Sequence, residues 1–477
     1  MKRIERCQIF TPDDKANQLL DIIDYHENVF GKKFLENSCG DGSILKLVVF
    51  RYVKACIKKG LTLRKIKSGL QNDIYGFEID HDKYLDCLRN IDKVAEYFGI
   101  YNVKWNIKEA DFLKLDLDCK FTYIAGNPPY INYRELTSDT RDFLKSNYIT
   151  CSKGKFDYCY AFIEKSLNCL ALDGKLAYLI PSSIFKNVFA EKLRNYILPT
   201  LTQIYDFKTE KVFSKALVAT SILVCENNCK NEYFTYVNEE DKNNVIINKS
   251  LLGKKWIFKI TDKYNEHKNV KFGDLFNAQI SIATLLNKAF VFKDNIKYKS
   301  NYNVNGYKIE EKITRPAKSP RNLAYNSQER IIFPYYFKNN KLMKYEVGEF
   351  EKKYPGATKY LETFKDDLDK RNKDSSAKWF EFGRSQALSH LNQEKLLMST
   401  VVTDRIKVYE LEKQDVPYSG IYITSKNGAP LIEAKKILKS SKFLEYVNNI
   451  GIQASGTSLR ITPKDINNYE FDMEAIL

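Results

Sequence analysis

The chain of 477 residues has no cysteine beyond Cys229, no Pro-Cys dipeptide, and no apolar run near the roughly 20 residues a membrane-spanning helix requires. Behind Met1-Lys2-Arg3-Ile4-Glu5-Arg6 there is no apolar stretch, which argues against a secretory signal. The ten cysteines are scattered rather than set at framework spacing, so they read as reduced cytosolic thiols. The closest pair, Cys225 and Cys229, has no second pair after it and only His267 nearby, so no zinc or other metal is expected. There is no repeat of fixed period and no low-complexity tract. Only Gly40-Asp41-Gly42 is present where a dinucleotide-binding turn needs a third glycine, which excludes that fingerprint.

What the chain does have is positive charge and enough apolar residues for real cores. Hydrophobic residues make up 44%, which excludes wholesale disorder. The net charge is +16, which suits a polyanion, nucleic acid first; a Lys-rich surface kept for solubility has the same composition. Residues 1–235 hold 35 Lys and Arg against 30 Asp and Glu, a net of +5, and residues 236–477 carry the remaining +11. Cysteine usage also ends near 230, so a first domain over 1–235 and a second over 236–477 are expected. In the first, short apolar runs at 33–36, 74–78, 122–126, 176–180, 203–207 and 221–224 alternate with helical patterns at 160–172 and 189–197. That alternation predicts an α/β fold with a mostly parallel sheet covered on both faces, whose ligands sit at the carboxyl ends of the strands.

Four strand ends carry candidate chemistry. Asn127-Pro128-Pro129-Tyr130 follows the run 122–126. Two prolines stop the sheet ladder and hold the backbone in an extended turn. The Asn127 side-chain oxygen and the Pro128 carbonyl are then two acceptors for one amine, and Tyr130 offers a flat face to a planar ring. An aromatic NH2 needs this to act as a nucleophile, because its lone pair is otherwise delocalised into the ring. Upstream, Glu36-Asn37-Ser38-Cys39-Gly40 turns out of a strand, with Glu36 suited to an amino group and glycine allowing close backbone approach. Glu78 ends the next run and suits the hydroxyls of a ribose. Asp111 suits an adenine amine, with Phe112 beside it to stack on the ring; Asp111 as a helix cap and Glu78 as a solvated strand end are the plainer alternatives.

In this order these elements resemble the gamma-class, TaqI-like N6-adenine DNA methyltransferases, closely over residues 7–225 and loosely beyond. The family's opening element matches Phe10-Thr11-Pro12, and its acid-x-x-Cys-x-x-Gly cofactor loop matches Glu36, Cys39 and Gly42. The resemblance implies a Rossmann-like domain with a mixed, mostly parallel seven-stranded sheet, followed by a C-terminal α+β target-recognition domain. It implies S-adenosyl-L-methionine as cofactor, leaving as S-adenosyl-L-homocysteine. Phe10, Thr11, Pro12 and Glu36 would contact its methionine part, Glu78 would take its ribose, Ile79 and Phe112 would flank its adenine and Asp111 would bind the adenine amine; Ser38, Cys39, Gly40, Asn127 and Phe162 would also lie at the cofactor. Phe213 would sandwich the target base against Tyr130. Later segments, 379–386 and 455–460, resemble the family's recognition domain, with Arg384, Gln386 and Arg460 as candidates for reading bases or holding phosphates.

Asn37 and Ser38 depart from the family, where Pro and Ala or Gly are usual, and a basic insertion spans 46–67. The insertion suits a phosphate contact or a solvated helix face. A base inside a duplex must be flipped out before transfer. Cytosine-C5 chemistry is set aside because its thiol nucleophile comes from a Pro-Cys dipeptide absent here. A companion restriction endonuclease would be a separate chain, since the first element begins at Gln8 and no nuclease motif follows; a solitary, orphan methylase would look the same in sequence. Duplex DNA is the expected partner, a monomer the expected state, and no membrane is involved. Methyl transfer to RNA, transfer to a protein glutamine, and a catalytically silent DNA-binding subunit remain as alternatives.

Overall fold

The structure, a computed structural model, describes residues 11–208, 210, 212–213, 218–228, 231–258, 269–294, 297–426, 428–455 and 458–472. The chain forms two compact units, 1–262 and 263–477.

The first unit is built on one sheet. Its strands are β1 (Phe34–Glu36), β2 (Ile74–Glu78), β3 (Asn106–Glu109), β4 (Phe121–Gly126), β5 (Leu170–Pro181), β6 (Leu201–Asp206), β7 (Thr220–Glu226), β8 (Tyr233–Asn238) and β9 (Asn243–Asn248). They lie in the order β3-β2-β1-β4-β5-β7-β6-β8-β9. The pairs β3–β2, β2–β1, β1–β4 and β4–β5 are parallel, and β7 is antiparallel to both neighbours. This is the expected mixed, mostly parallel Rossmann-like sheet, lengthened beyond seven strands by β8 and β9 on the β6 edge.

Alternation along the strands sends side chains to two apolar layers. Leu35, Ile124, Leu176, Tyr178 and Leu223 join one layer, while Phe34, Tyr123, Ala125, Ala177 and Val224 join the other. The first is covered by helices α5 (Ser138–Asn147), α6 (Cys159–Asn168) and α7 (Glu191–Ile197) through Leu144, Phe162, Leu193 and Ile197. The second is covered by α1 (Asp13–Ile22), α2 (Leu45–Lys58), α3 (Leu63–Asp73) and α4 (His81–Tyr97) through Leu19, Val48, Leu70 and Ile91. Burial on both faces is why the strands read as continuous apolar runs. Strand β3 was not among those runs because only Ile107 of its four residues is buried.

A boundary at 235 falls inside β8, so the division moves to 262/263. The reason is packing. Strand β8 pairs in parallel with β6, and the Tyr236 hydroxyl donates to Asp206 at 2.8 Å. Trp256 is buried and stacks on Phe185, its backbone N–H donating to the Phe185 carbonyl at 2.8 Å. On the revised division the first unit holds 40 Lys and Arg against 34 Asp and Glu, a net of +6, and the second 36 against 26, a net of +10.

The second unit is α+β. One antiparallel sheet orders Phe276–Ile280, Ile421–Ser425, Lys395–Met398 and Val408–Leu411. A second, mixed sheet orders Val291–Lys293, Glu329–Ile332, Thr314–Lys318 and Val416–Pro417, the last pair parallel. Helices Leu431–Lys439 and Ser441–Ile450 cover the first sheet through Ile437, Phe443 and Val447, and a second apolar core lies around Phe290, Ile331, Phe350 and Phe380. No helix among the described residues is long and apolar enough to cross a membrane.

Candidate active site

Register brings the expected residues to one edge of the sheet. Glu36 is paired with Gly76 and Glu78 with Glu109, while Leu35 pairs with Ile124, two residues before Gly126. The carboxyl ends of β1, β2, β3 and β4 therefore present Glu36, Glu78, Asp111 and Asn127 side by side.

Glu36 is 3% exposed, and its Oε2 has no hydrogen-bond partner among the described residues. Burial pushes its carboxyl well above the ordinary range, with Cys87, Asp41 and Glu78 adding to the shift. A buried carboxyl oxygen without a donor is costly unless a ligand supplies one. The turn after it is set by backbone bonds: Cys39 N–H donates to the Phe77 carbonyl at 3.0 Å and Gly42 N–H to the Cys39 carbonyl at 2.8 Å. Gly42 has φ +82°, and a Cβ there would lie 2.9 Å from the Cys87 sulfur, so only glycine fits. Hydrogen bonding to Cys87 and burial raise the Cys39 thiol well above its usual pKa, which suits a structural thiol. Cys39 and Cys87 are both free thiols.

Glu78 anchors this turn. Its Oε2 accepts from Gly40 N–H at 2.8 Å, and its Oε1 accepts from Ile79 and Asp80 N–H at 2.9 Å each. With two lone pairs per oxygen, Oε2 keeps one for a hydroxyl donor. Ile79 beside it is 57% exposed. Asp111 Oδ1 accepts from Leu113 N–H at 3.1 Å, capping the short helix Phe112–Lys114, and its Oδ2 lies 3.5 Å from Lys114 Nζ. The plainer expectation of a helix cap thus describes one of its two oxygens. Phe112 is 2% exposed; its ring lies 5.8 Å from each of Phe77 and Phe162, with Lys165 Nζ over it at 5.0 Å.

Asn127 follows β4, and the hydroxyl of Ser38 donates to its backbone carbonyl at 3.3 Å. The turn that carries Glu36 and the turn that carries Asn127 are therefore directly bonded. Pro128 is buried and Tyr130 half-buried, its hydroxyl oxygen without a partner among the described residues. Tyr130 packs against both apolar layers, whereas Phe213 is 2% exposed within the second. Thr11 is buried, and the Pro12 carbonyl accepts from Ala16 N–H at 2.9 Å, starting α1. Phe10 lies outside the described residues.

One group escaped the sequence. Asn37 Nδ2 donates to Ser166 Oγ at 2.7 Å, and Ser166 shares a 2.7 Å bond with the Tyr178 hydroxyl. This polar chain ties the residue after Glu36 to α6 and β5. The unusual Asn37 was the one visible signal; its partner is 129 residues away.

The basic insertion resolves into α2 and α3, and several of its charges are paired within the unit. Arg51 binds Asp21 at 2.6 Å, Lys58 binds Glu27 at 2.7 Å and Lys46 binds Asp13 at 3.0 Å. In the second unit Arg384 is bound to Asp374 at 2.8 Å, while Gln386 and Arg460 are exposed.

Residues 52–213 match the family described as Eco57I restriction-modification methylase. The chain is 24% identical over 399 residues to the Type II restriction enzyme and methyltransferase RM.Eco57I of Escherichia coli, covering 72% of this chain and 40% of that one. It is 31% identical over 198 residues to the modification methylase CviBIII of Paramecium bursaria Chlorella virus NC1A, covering 41% and 43%. Among solved structures it resembles the Type IIL restriction-modification enzyme MmeI in complex with DNA, with a TM-score of 0.62 at 15% identity, covering 96% of this chain and 64% of that one. The chain spans about two fifths of the length of the curated relatives it matches.

Proposed function

We propose, from the match of residues 52–213 to the Eco57I restriction-modification methylase family, that the chain is a site-specific DNA methyltransferase acting on N6 of a flipped-out adenine in duplex DNA. The observation that carries this reading is Asn127-Pro128-Pro129-Tyr130 at the carboxyl end of β4, bonded through Ser38 to the turn of Glu36.

The residues at the strand ends fit S-adenosylmethionine. The unpartnered Glu36 oxygen suits its ammonium, the open lone pair of Glu78 a ribose hydroxyl, and exposed Ile79 one face of its adenine. When bound, the cofactor supplies a methyl group on a positively charged sulfur, already reactive toward an amine. The protein's task is positioning. The Asn127 side chain and the Pro128 carbonyl accept the two hydrogens of an exocyclic amine and turn its lone pair toward the acceptor carbon. Tyr130 supplies a stacking face, at about 1–3 kcal/mol per aromatic contact, toward the few kcal/mol that flipping costs. Phe213 serves as a second face only if its covering side chains move, so its role is the less supported of the two.

The second unit, with its net +10, is the proposed target-recognition domain. Duplex DNA is the proposed substrate, and a restriction-modification system the proposed setting.

The test is methyl transfer from labelled cofactor to duplex DNA, RNA and protein. Transfer to duplex DNA alone, blocked in Asn127→Ala while cofactor still binds, is the expected outcome. Transfer to RNA or to a glutamine peptide instead, or normal transfer by Asn127→Ala, overturns the reading. Mapping modified bases in a methylation-free host then gives the recognition sequence.

A further inference from the structure

In the second unit the strands Thr314–Lys318 and Glu329–Ile332 run side by side, pairing Arg315 with Ile331 and Pro316 with Arg330. Beside them lies a cavity of about 490 Å³ whose lining includes Thr314, Arg315, Arg330, Asn392, Lys413 and Gln414. No acidic side chain lines it.

Arg315 is the unusual member. Its guanidinium lies 4.3 Å from the ring centre of Phe333 and 5.0 Å from that of Phe337, and those two rings are stacked 15° apart. Among the described residues it has neither a hydrogen bond nor an ion pair with a protein acceptor. A half-buried guanidinium with five idle donors is an unmet demand for an oxygen-rich anion. The aromatic platform fixes the fork beforehand, so little side-chain freedom is lost when an anion binds.

The rest of the cavity is prepared in the same sense. Arg330 stacks over Tyr302 at 5.0 Å and is aimed by bonds to the Thr314 hydroxyl at 2.9 Å and carbonyl at 3.2 Å. Buried Lys395 holds the carbonyls of Glu412, Lys413 and Asp415 at 2.8, 3.3 and 3.1 Å, fixing the turn that presents Lys413 and Gln414. Arg384, by contrast, already has Asp374 as its anion.

We propose that this cavity seats a phosphodiester group of a nucleic-acid strand, with Arg315 as its principal contact and Arg330 and Lys413 beside it. The proposal rests on the DNA-directed reading above and adds the place where the second unit holds the backbone. A planar fork, a second guanidinium and an ammonium around one cavity suit the oxygens of a phosphate, and phosphate contacts fix register without reading sequence.

The test measures binding of the full chain to a duplex of about 30 base pairs across a salt series, for the native protein, Arg315→Ala, Arg315→Lys and the exposed Lys413→Ala. Arg315→Ala is expected to weaken binding about tenfold and to lower the salt slope by about one contact, equally on all sequences. Arg315→Lys should fall between, and Lys413→Ala should weaken binding in the same direction. Inorganic phosphate, titrated alone, separates a strand from a free anion. If it binds in an Arg315-dependent way while DNA binding ignores the variants, the cavity is a free-anion site and the proposal fails. If the native chain binds and methylates the duplex but Arg315→Ala and Lys413→Ala keep full affinity and slope, the phosphodiester seat alone is wrong. If the native chain binds no duplex, the reading of its function falls, and the seat with it.

Discussion

At the scale of single residues, the Glu36 turn and the Asn127 turn meet through one hydroxyl. Ser38 occupies a position where the resembling family has a side chain without a donor, and here it bonds the Asn127 carbonyl. A neutral hydrogen bond contributes about 1 kcal/mol. Ser38→Ala should therefore slow methyl transfer about fivefold, with cofactor affinity changed less than twofold, and Ser38→Thr should restore the rate. Single-turnover kinetics beside a calorimetric cofactor titration measures both; a loss confined to cofactor affinity would place Ser38 in cofactor contact instead. Glu36, Glu78 and Asn127 were readable because each ends or follows a short apolar run, so the strand pattern gives the position and the residue type gives the chemistry; Asp111 follows β3, which shows no such run, and was readable only from Phe112 beside it and the order of the elements. Ser166 and Tyr178 were not readable, because only the folded sheet brings them to Asn37. The burial of Phe112 and Phe213 was likewise hidden, since neither ring has a local pattern that distinguishes a face open to a ligand from one covered by neighbours.

At the scale of elements, α6 begins beside a carboxylate in an adverse setting. Asp157 accepts from Cys159 N–H at 3.1 Å, yet burial raises its pKa from 3.8 to about 6. The sign follows from linkage: the folded state favours the protonated form, so the stability it contributes is complete below pH 3.8 and lost as pH rises through about 6. Asp157→Asn keeps an acceptor for Cys159 and removes the titration. Urea unfolding at pH 4.5 and 7.5 should show the native protein losing about 2 kcal/mol more than the variant over that interval. Six of the nine strands of the first unit were visible as apolar runs. Strands β8 and β9 were not, because they lie toward the sheet edge and bury only alternate or scattered residues. On charge alone the basic insertion suited either a phosphate contact or a solvated helix face; its pairing with acids on and after α1 depends on how the helices pack.

At the scale of the whole molecule, each unit has apolar cores of its own, so each supplies its own cooperative unfolding. Calorimetry should resolve two transitions. S-adenosylmethionine at about 100 times its dissociation constant should stabilise the first unit by about 2.7 kcal/mol and leave the other transition in place. A shift in the second transition alone would put the cofactor in the wrong unit. The end of cysteine usage near 230 was a misleading marker of the boundary, because composition changes before the sheet does. What joins residues 236–258 to the first unit is a hydroxyl reaching Asp206 and an indole on Phe185, neither of which alters composition.

The position of β7 between β5 and β6 has a consequence for synthesis on the ribosome. Strand β6, ending at Asp206, leaves the exit tunnel before β7, which runs from Thr220 to Glu226, yet β7 is the strand that bonds it to β5. Until β7 emerges, the nascent chain carries β5 with one unpaired side of a strand whose last six residues are all destined for burial. At about 5–20 residues per second this interval lasts some seconds. An unpaired apolar edge is a template for wrong partners, so the co-translational hazard of this protein is concentrated in that window, when holdase chaperones would matter most.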